Sequence, residues 1–269
     1  MALLDLLRRP KTTKVAAIPA GWVVYAVGDI HGRLDLFDML VEKIRNDHAR
    51  CVPRQRGLVV LLGDYIDRGP SSAGVIDSIL NFETSTGLTL RALKGNHEQA
   101  LLNFLSDPVG GAPWLSHGGI EALASYGVGA PRSPQPSDLT EIRNQLAEAL
   151  PAAHLAFLRS LKTLLVFGDY IFVHAGLRPG RPIEEQTEAD LLWIRDDFLR
   201  KPWLDDSVVV HGHTPISAVD LDSNKIGVDT GAFATGVLTA LRLQGSQREL
   251  MQVSVGGPAA DGPDGAGEL

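Results

Sequence analysis

Gly63-Asp64-Tyr65-Ile66-Asp67-Arg68-Gly69 decides how this chain reads. It follows the apolar run Leu58-Val59-Val60-Leu61-Leu62, which has the pattern of a strand buried on both faces, and it closes on a glycine before Pro70. Open α/β sheets bind their ligands beyond the carboxyl ends of their strands, so the loop sets two carboxylates and a guanidinium at a binding edge. A carboxylate with an arginine four residues on suits a ligand that combines a cation with anionic oxygens, as a metal-bound phosphate does. The same residues also suit a plain turn with an N-cap, and this loop alone does not choose between the two.

Repetition chooses. Gly28-Asp29-Ile30-His31-Gly32, Gly95-Asn96-His97-Glu98, His174-Ala175-Gly176 and His211-Gly212-His213-Thr214 each follow a run able to form a strand. A strand over Trp22–Val27 precedes helical spacing at Leu34, Phe37, Val41 and Ile44. The strand at 58–62 precedes Val75, Ile76, Ile79 and Leu80, and a strand near 88–93 precedes Leu101, Leu102 and Leu105. Successive strand, loop and helix units predict a mainly parallel sheet with its functional loops along one edge. From Leu164 the pattern turns β-rich, with a hairpin about Gly168-Asp169 and strands at 208–210, 225–228, 237–243 and 250–255.

The fold class is therefore α/β with a β-rich second half. At 269 residues and 44% hydrophobic content the chain can bury one sizeable core. We read residues 1–20 as an N-terminal arm, 21–256 as one domain and 257–269 as a disordered tail of mostly Gly, Ala, Pro and Asp. Within the domain, about 107–161 reads as a helical insertion over one side of the site, with helices over 139–150 and from Pro151 to Leu161. Trp114, His117 and Gly118-Gly119 in that insertion either face substrate or serve packing.

Composition excludes several classes. A formal charge of −7 argues against tight non-specific binding of nucleic acid. The single cysteine, Cys51, permits no intramolecular disulfide. No apolar run approaches the roughly 20 residues needed to cross a bilayer. Met1–Arg9 carries its arginines after its leucines, the wrong order for a signal peptide. These features predict a cytoplasmic enzyme with no membrane partner.

Asp29, His31, Asp64, Asn96, His174 and His213 are the candidate metal ligands. Oxygen and imidazole donors without thiolate suit Mn²⁺, Fe or Zn²⁺ better than Ca²⁺ or a site for Mg²⁺ alone. Asp64, central in the order of loops, can bridge two ions, and ions roughly 3.5 to 4 Å apart hold a shared water and clamp the oxygens of an in-line displacement.

These five motifs, in this order from about Val23 to Leu243, resemble the phosphoprotein phosphatase family of the calcineurin-like metallophosphoesterases, in its bacterial and lambda phosphatase-like branch. The resemblance implies a four-layer αββα sandwich, two sheets face to face with helices outside and the insertion over the active-site edge. It implies that Asp29, His31 and Asp64 bind one divalent ion and that Asp64, Asn96, His174 and His213 bind the other, with Mn²⁺ foremost. His97 is then the general acid, oriented by Asp67, while Arg68 and Arg195, the latter in Trp193-Ile194-Arg195, hold phosphate oxygens.

The implied function is a two-metal phosphomonoesterase of the serine/threonine protein phosphatase type, acting through a metal-bridging hydroxide on phosphorylated proteins or small phosphoesters. Asp67 before Arg68-Gly69 and Glu98 after His97 favour that branch. The alternative is a symmetrical dinucleoside polyphosphate (diadenosine tetraphosphate) hydrolase, whose motifs are much the same. A third reading, a non-catalytic phosphatase-fold scaffold, predicts missing ligands or a missing acid, and this chain lacks none of them. Outside the core set, His211 reads as a strand-end hydrogen-bonding residue and Glu98 as structural at a helix start. Arg178 is either a surface or a substrate-reaching residue, and Asp229 either an orienter or a turn former. His48 and His154 read as surface or packing residues on helices.

Overall fold

The computed structural model describes residues 15–51, 53–131, 134–203 and 205–255. Residues 1–14 of the expected arm and the expected tail at 257–269 lie outside them. The remainder of the arm is tied to the body: Ala16 and Ile18 are buried, Ile18 N–H donates to the Gly245 carbonyl, and Ala17 N–H donates to Asp169. Their apolar side chains join the core between the sheets, which is why the chain stops being an arm before Ala20.

The strands are β1 (Trp22–Val27), β2 (Arg56–Leu61), β3 (Thr89–Ala92), β4 (Leu164–Phe167), β5 (Tyr170–Val173), β6 (Val208–His211), β7 (Lys225–Gly227), β8 (Val237–Gln244) and β9 (Gln247–Ser254). The helices are α1 (Leu34–Ala49), α2 (Ser72–Leu80), α3 (Phe82–Thr86), α4 (Asn96–Ser106), α5 (Ile120–Ser125), α6 (Pro136–Ala149), α7 (Ala152–Ser160), α8 (Glu188–Trp193), α9 (Asp196–Arg200) and α10 (Ala232–Thr235). One sheet has the order β3-β2-β1-β8-β9, the other β4-β5-β6-β7. β1, β2 and β3 run parallel, as do β5, β6 and β7, while β8 and β9 form an antiparallel hairpin at one side and β4 pairs antiparallel with β5.

Period-two alternation sorts the side chains into layers. Val24, Ala26, Leu58, Val60 and Leu62 face Tyr170, Phe172, Val210, Ile226 and Val228, forming the core between the sheets. Val23, Tyr25, Val27, Val59 and Leu61 point the other way, into a core with Phe37, Leu40, Ile76 and Phe104 of the first helical layer. On the far side Ile171, Val173 and Val209 pack under Leu191, Ile194 and Phe198. This is the four-layer αββα sandwich, with β1, β2, β5 and β6 buried on both faces as their apolar runs require, while β3, β4 and β9 are partly exposed.

The 107–161 segment divides. Residues 110–119 reach the edge of the sheets where the functional loops lie. α6 and α7 instead put Leu139, Ile142, Leu146 and Leu158 into the first helical layer. α6 starts three residues earlier than its leucine spacing predicts, because Pro136 takes the first helical position and Asp138 accepts the Gln135 N–H at 2.8 Å. Among the described residues no helix is long and apolar enough to cross a membrane.

Phe172 is fully buried between the sheets. Phe172→Ala is expected to cost about 3–5 kcal/mol, read as a lower urea midpoint without loss of cooperativity.

Candidate active site

Parallel pairing brings the carboxyl ends of β1, β2 and β3 to one edge, and those of β5 and β6 to the same edge of the second sheet. Hydrogen bonds then knit the loops across the sandwich. The Asp64 carbonyl accepts both Ile30 N–H (3.1 Å) and His31 N–H (2.9 Å). His174 Nδ1 donates to the Leu62 carbonyl at 2.9 Å, and the Asp29 carboxylate accepts His213 N–H at 3.1 to 3.2 Å. Residues separated by up to 184 positions are thereby held in one pocket.

Two groups of buried donors share Asp64: His31, Asp64 and His97 in one, Asp64, His174 and His213 in the other. Asn96 joins the second, its Oδ1 lying 2.8 Å from His174 Nε2. Asp29 belongs to neither group as closely, because its carboxylate is turned onto the His213 backbone, yet it stays buried in the same pocket. Among the described residues five that are not glycine have left-handed backbones: His31 (φ 45°), Asp64 (53°), Asp67 (73°), Arg68 (66°) and His213 (62°). Each such residue costs on the order of 1–3 kcal/mol, and every one of the five is a candidate site residue.

Glu98 secures this strained loop. Its Oε2 accepts N–H groups of Asp64 (2.9 Å) and Gly95 (2.8 Å), and its Oε1 accepts Tyr65 N–H (2.8 Å). The Asp64 carboxylate in turn accepts His97 N–H at 3.1 Å from the first turn of α4. Gly95 has to be glycine here, since a Cβ would run into the Asp64 carboxylate. The sequence placed Glu98 at a helix start but gave no sign that it ties two loops together, because the Asp64 and Tyr65 N–H groups that donate to it lie more than 30 residues away.

The donor chemistry fits divalent cations. Burial holds the imidazoles of His31 and His213 down at about 3 and lowers that of His174, so all three are free bases near neutral pH. His174 Nδ1 spends its proton on Leu62, which leaves the Nε2 lone pair against the Asn96 oxygen; a cation held by both atoms resolves that opposition. Nε2 of His213 is buried without a hydrogen-bond partner among the described residues. Burial and the neighbouring Asp229 and Asp64 charges push the Asp29 carboxyl well above its usual range, a crowding of anions that positive charge relieves.

On the solvent side, Asp67 Oδ2 accepts His97 Nδ1–H at 2.5 Å, and His97 Nε2 lies 3.3 Å from Arg68 Nη2. Burial lowers the basicity of His97, but the Asp64 and Asp67 carboxylates outweigh it and raise its pKa above the ordinary value. The Arg68 guanidinium lies over the Phe233 ring, 4.6 Å from its centroid. A cleft of about 410 Å³ opens here, walled by Trp114, His117 and Trp193 and lined by Arg68, Asn96, His97, Arg195 and His213. Trp114 is buried and gives its indole N–H to Asp67 Oδ2 at 2.8 Å.

The other candidates belong to neither donor group. His211 donates through Nδ1 to Gly212 and packs edge-on against Phe198, a strand-end role. Arg178 is locked to Asp190 and Asp197, bracing the turn before α8 rather than reaching the cleft. Asp229 accepts Gly231 N–H, and burial raises its pKa to about 6. His48 bonds the Gln55 carbonyl, and His154 links Tyr126 to Asp77.

The family pattern of the calcineurin-like phosphoesterases matches residues 23–240. The chain is 31% identical over 236 residues to a serine/threonine-protein phosphatase 1 of Salmonella typhimurium, covering 82% of this chain and 92% of that one. It is 28% identical over 236 residues to an asymmetrical bis(5′-nucleosyl)-tetraphosphatase PrpE of Geobacillus thermodenitrificans, covering 80% and 88%. A solved structure assigned provisionally as a diadenosine tetraphosphatase superposes with a TM-score of 0.60 at 21% identity over 89% of this chain and 98% of that one, a likeness of fold.

Glu98→Gln places an amide N–H₂ against backbone N–H groups that now meet a carboxylate oxygen. It is expected to lower stability by about 1–3 kcal/mol in urea unfolding of the metal-free protein.

Proposed function

The chain belongs to the calcineurin-like phosphoesterases, metal-dependent hydrolases of phosphate esters, and from that premise we propose a two-metal phosphomonoesterase acting on phosphoserine and phosphothreonine in proteins. Residues 21–256 form its catalytic domain. Asp29, His31 and Asp64 hold one divalent ion, and Asp64, Asn96, His174 and His213 the other. The observation that carries the reading is the meeting of two buried donor groups on Asp64, at the foot of a cleft edged by Arg68 and Arg195. Nitrogen and oxygen donors without thiolate favour Mn²⁺, with Fe or Zn²⁺ tolerated.

When bound, the two cations acidify a water and draw negative charge from the phosphate oxygens. The chain's own residues do the rest. Arg68 and Arg195 present guanidinium N–H groups to phosphate oxygens, and the Phe233 ring keeps the Arg68 plane in place. His97 delivers a proton from Nε2 to the departing ester oxygen, while its Nδ1–H stays on Asp67. An alkoxide from serine is a poor leaving group, so proton delivery matters most for that substrate.

The second reading is hydrolysis of dinucleoside tetraphosphates, favoured by the names carried by several relatives. A tetraphosphate chain spreads negative charge over four centres and calls for cations along its length. Among the described residues Arg68 and Arg195 are the only arginine or lysine side chains lining the cleft, which supports a single phosphate on an otherwise neutral body.

With Mn²⁺ added, turnover of a phosphoserine peptide is expected to exceed that of diadenosine tetraphosphate at equal concentration; the reverse order selects the second reading. His97→Asn is expected to lower phosphopeptide turnover by roughly 10²- to 10⁴-fold. Mn²⁺ at about 100 times its dissociation constant adds about 2.7 kcal/mol of stability for each site filled, seen as a higher melting temperature, and chelation removes it. Asp64→Asn, which weakens both donor groups, should largely abolish that metal-dependent shift.

A further inference from the structure

We propose that Trp114 is a positioning residue for proton delivery, clamping the Asp67 carboxylate so that His97 is held in line with the departing oxygen. The proposal rests on the phosphomonoesterase reading above, and it adds to that reading a residue outside every metal and phosphate contact.

Asp67 is fully buried, and its two oxygens are treated differently. Oδ2 accepts both His97 Nδ1–H at 2.5 Å and Trp114 Nε1–H at 2.8 Å, while Oδ1 is buried without a hydrogen-bond partner among the described residues. A carboxylate turns readily about its last side-chain bond, because that torsion is broad. With His97 as its single side-chain partner it could swing and carry the imidazole with it. The indole N–H fixes the plane, since turning the carboxylate would break two hydrogen bonds in a buried site where neither donor finds water.

The indole is itself held firmly. A Cβ on Gly119 would lie 2.6 Å from the Trp114 ring, so glycine is what lets the backbone close over it, and the Phe104 ring packs at 5.2 Å on another side. The same segment grips the next residue: the Gly118 carbonyl accepts Arg68 N–H at 3.1 Å. Asp67 and Arg68 both carry left-handed backbones, at φ 73° and 66°. Residues 114–118 therefore brace two consecutive strained residues, one through an indole and one through a carbonyl.

In the step concerned, the phosphorus–oxygen ester bond breaks and its electron pair stays on the leaving oxygen, which takes the Nε2 proton of His97. A water-derived oxygen forms the new bond to phosphorus. Nitrophenolate leaves well without that proton, phenolate less well, and serine alkoxide poorly. A residue that aligns the acid is thus felt in proportion to the leaving group's need for a proton, whereas a packing residue is felt equally by all.

The test is Trp114→Phe in the full chain with Mn²⁺, assayed on p-nitrophenyl phosphate, phenyl phosphate and a phosphoserine peptide. We expect less than about a threefold loss on the first and at least about a thirtyfold loss on the last, within the range general acids contribute. Equal losses on all three overturn the proposal. A second readout does not depend on activity, and unchanged resonances of the other three indoles show that the variant has folded. The chain has four tryptophans, hence four indole N–H resonances, and the one that Trp114→Phe or assignment identifies as Trp114 should move upfield in Asp67→Ala. An unmoved resonance overturns the proposal too. Absence of wild-type turnover on every monoester would instead count against the phosphomonoesterase reading, leaving the resonance to decide the clamp.

Discussion

Asp64 is the point on which the molecule turns. It is a buried carboxylate on a left-handed backbone, shared by two groups of imidazole donors. Such a residue is doubly unfavourable, since burial penalises its charge and its φ strains the chain. It persists because its surroundings pin its backbone N–H, its carbonyl and one carboxylate oxygen. Glu98 takes its N–H, the Ile30 and His31 amides take its carbonyl, and the His97 amide takes its carboxylate. Against the effect of burial, His97, whose own pKa is raised, and its backbone N–H help to hold the Asp64 carboxyl below its ordinary range.

This arrangement explains why the fold needs two sheets. Parallel strands deliver loops at one edge, but a single sheet offers ligands from one side only. Here β1, β2 and β3 supply Asp29, His31, Asp64 and Asn96, while β5 and β6 supply His174 and His213 from the opposite sheet. The core between the sheets fixes their spacing, and the hydrogen bonds from His174 to Leu62 and from His213 to Asp29 sew the two edges together. Metal donors and fold stability are thus one problem: loosening the sandwich separates the two donor groups.

The cleft side depends on the same frame. His97 follows Asn96 in the first turn of α4, so one helix start serves the donor pocket and the cleft at once. The strain in Asp67 and Arg68 is balanced by the 114–118 segment, which lies outside the strand and loop repeats of the sheets. Specificity and alignment can therefore vary in that segment without disturbing the ligands on the strands.

Much of this was legible in the residues. Apolar runs of strand length, each ending in Asp, His or Asn, predicted the sheet edges, and periodic leucines predicted α1, α2 and α4, because burial alone sets those patterns. The motifs also named six candidate donors together with His97, Asp67, Arg68 and Arg195, as local chemistry is written in neighbouring residues. Three things were not legible: Glu98 as the tie between loops, Trp114 as a partner of Asp67, and the division of the 107–161 segment between cleft wall and helical layer. Each depends on which atoms meet across 30 or more residues, and a sequence lists atoms without their distances. Sequence thus determined what chemistry this protein carries and the order of its loops; only tertiary packing decided which side chains converge on Asp64, because convergence comes from sheet pairing and strained turns that no local pattern encodes.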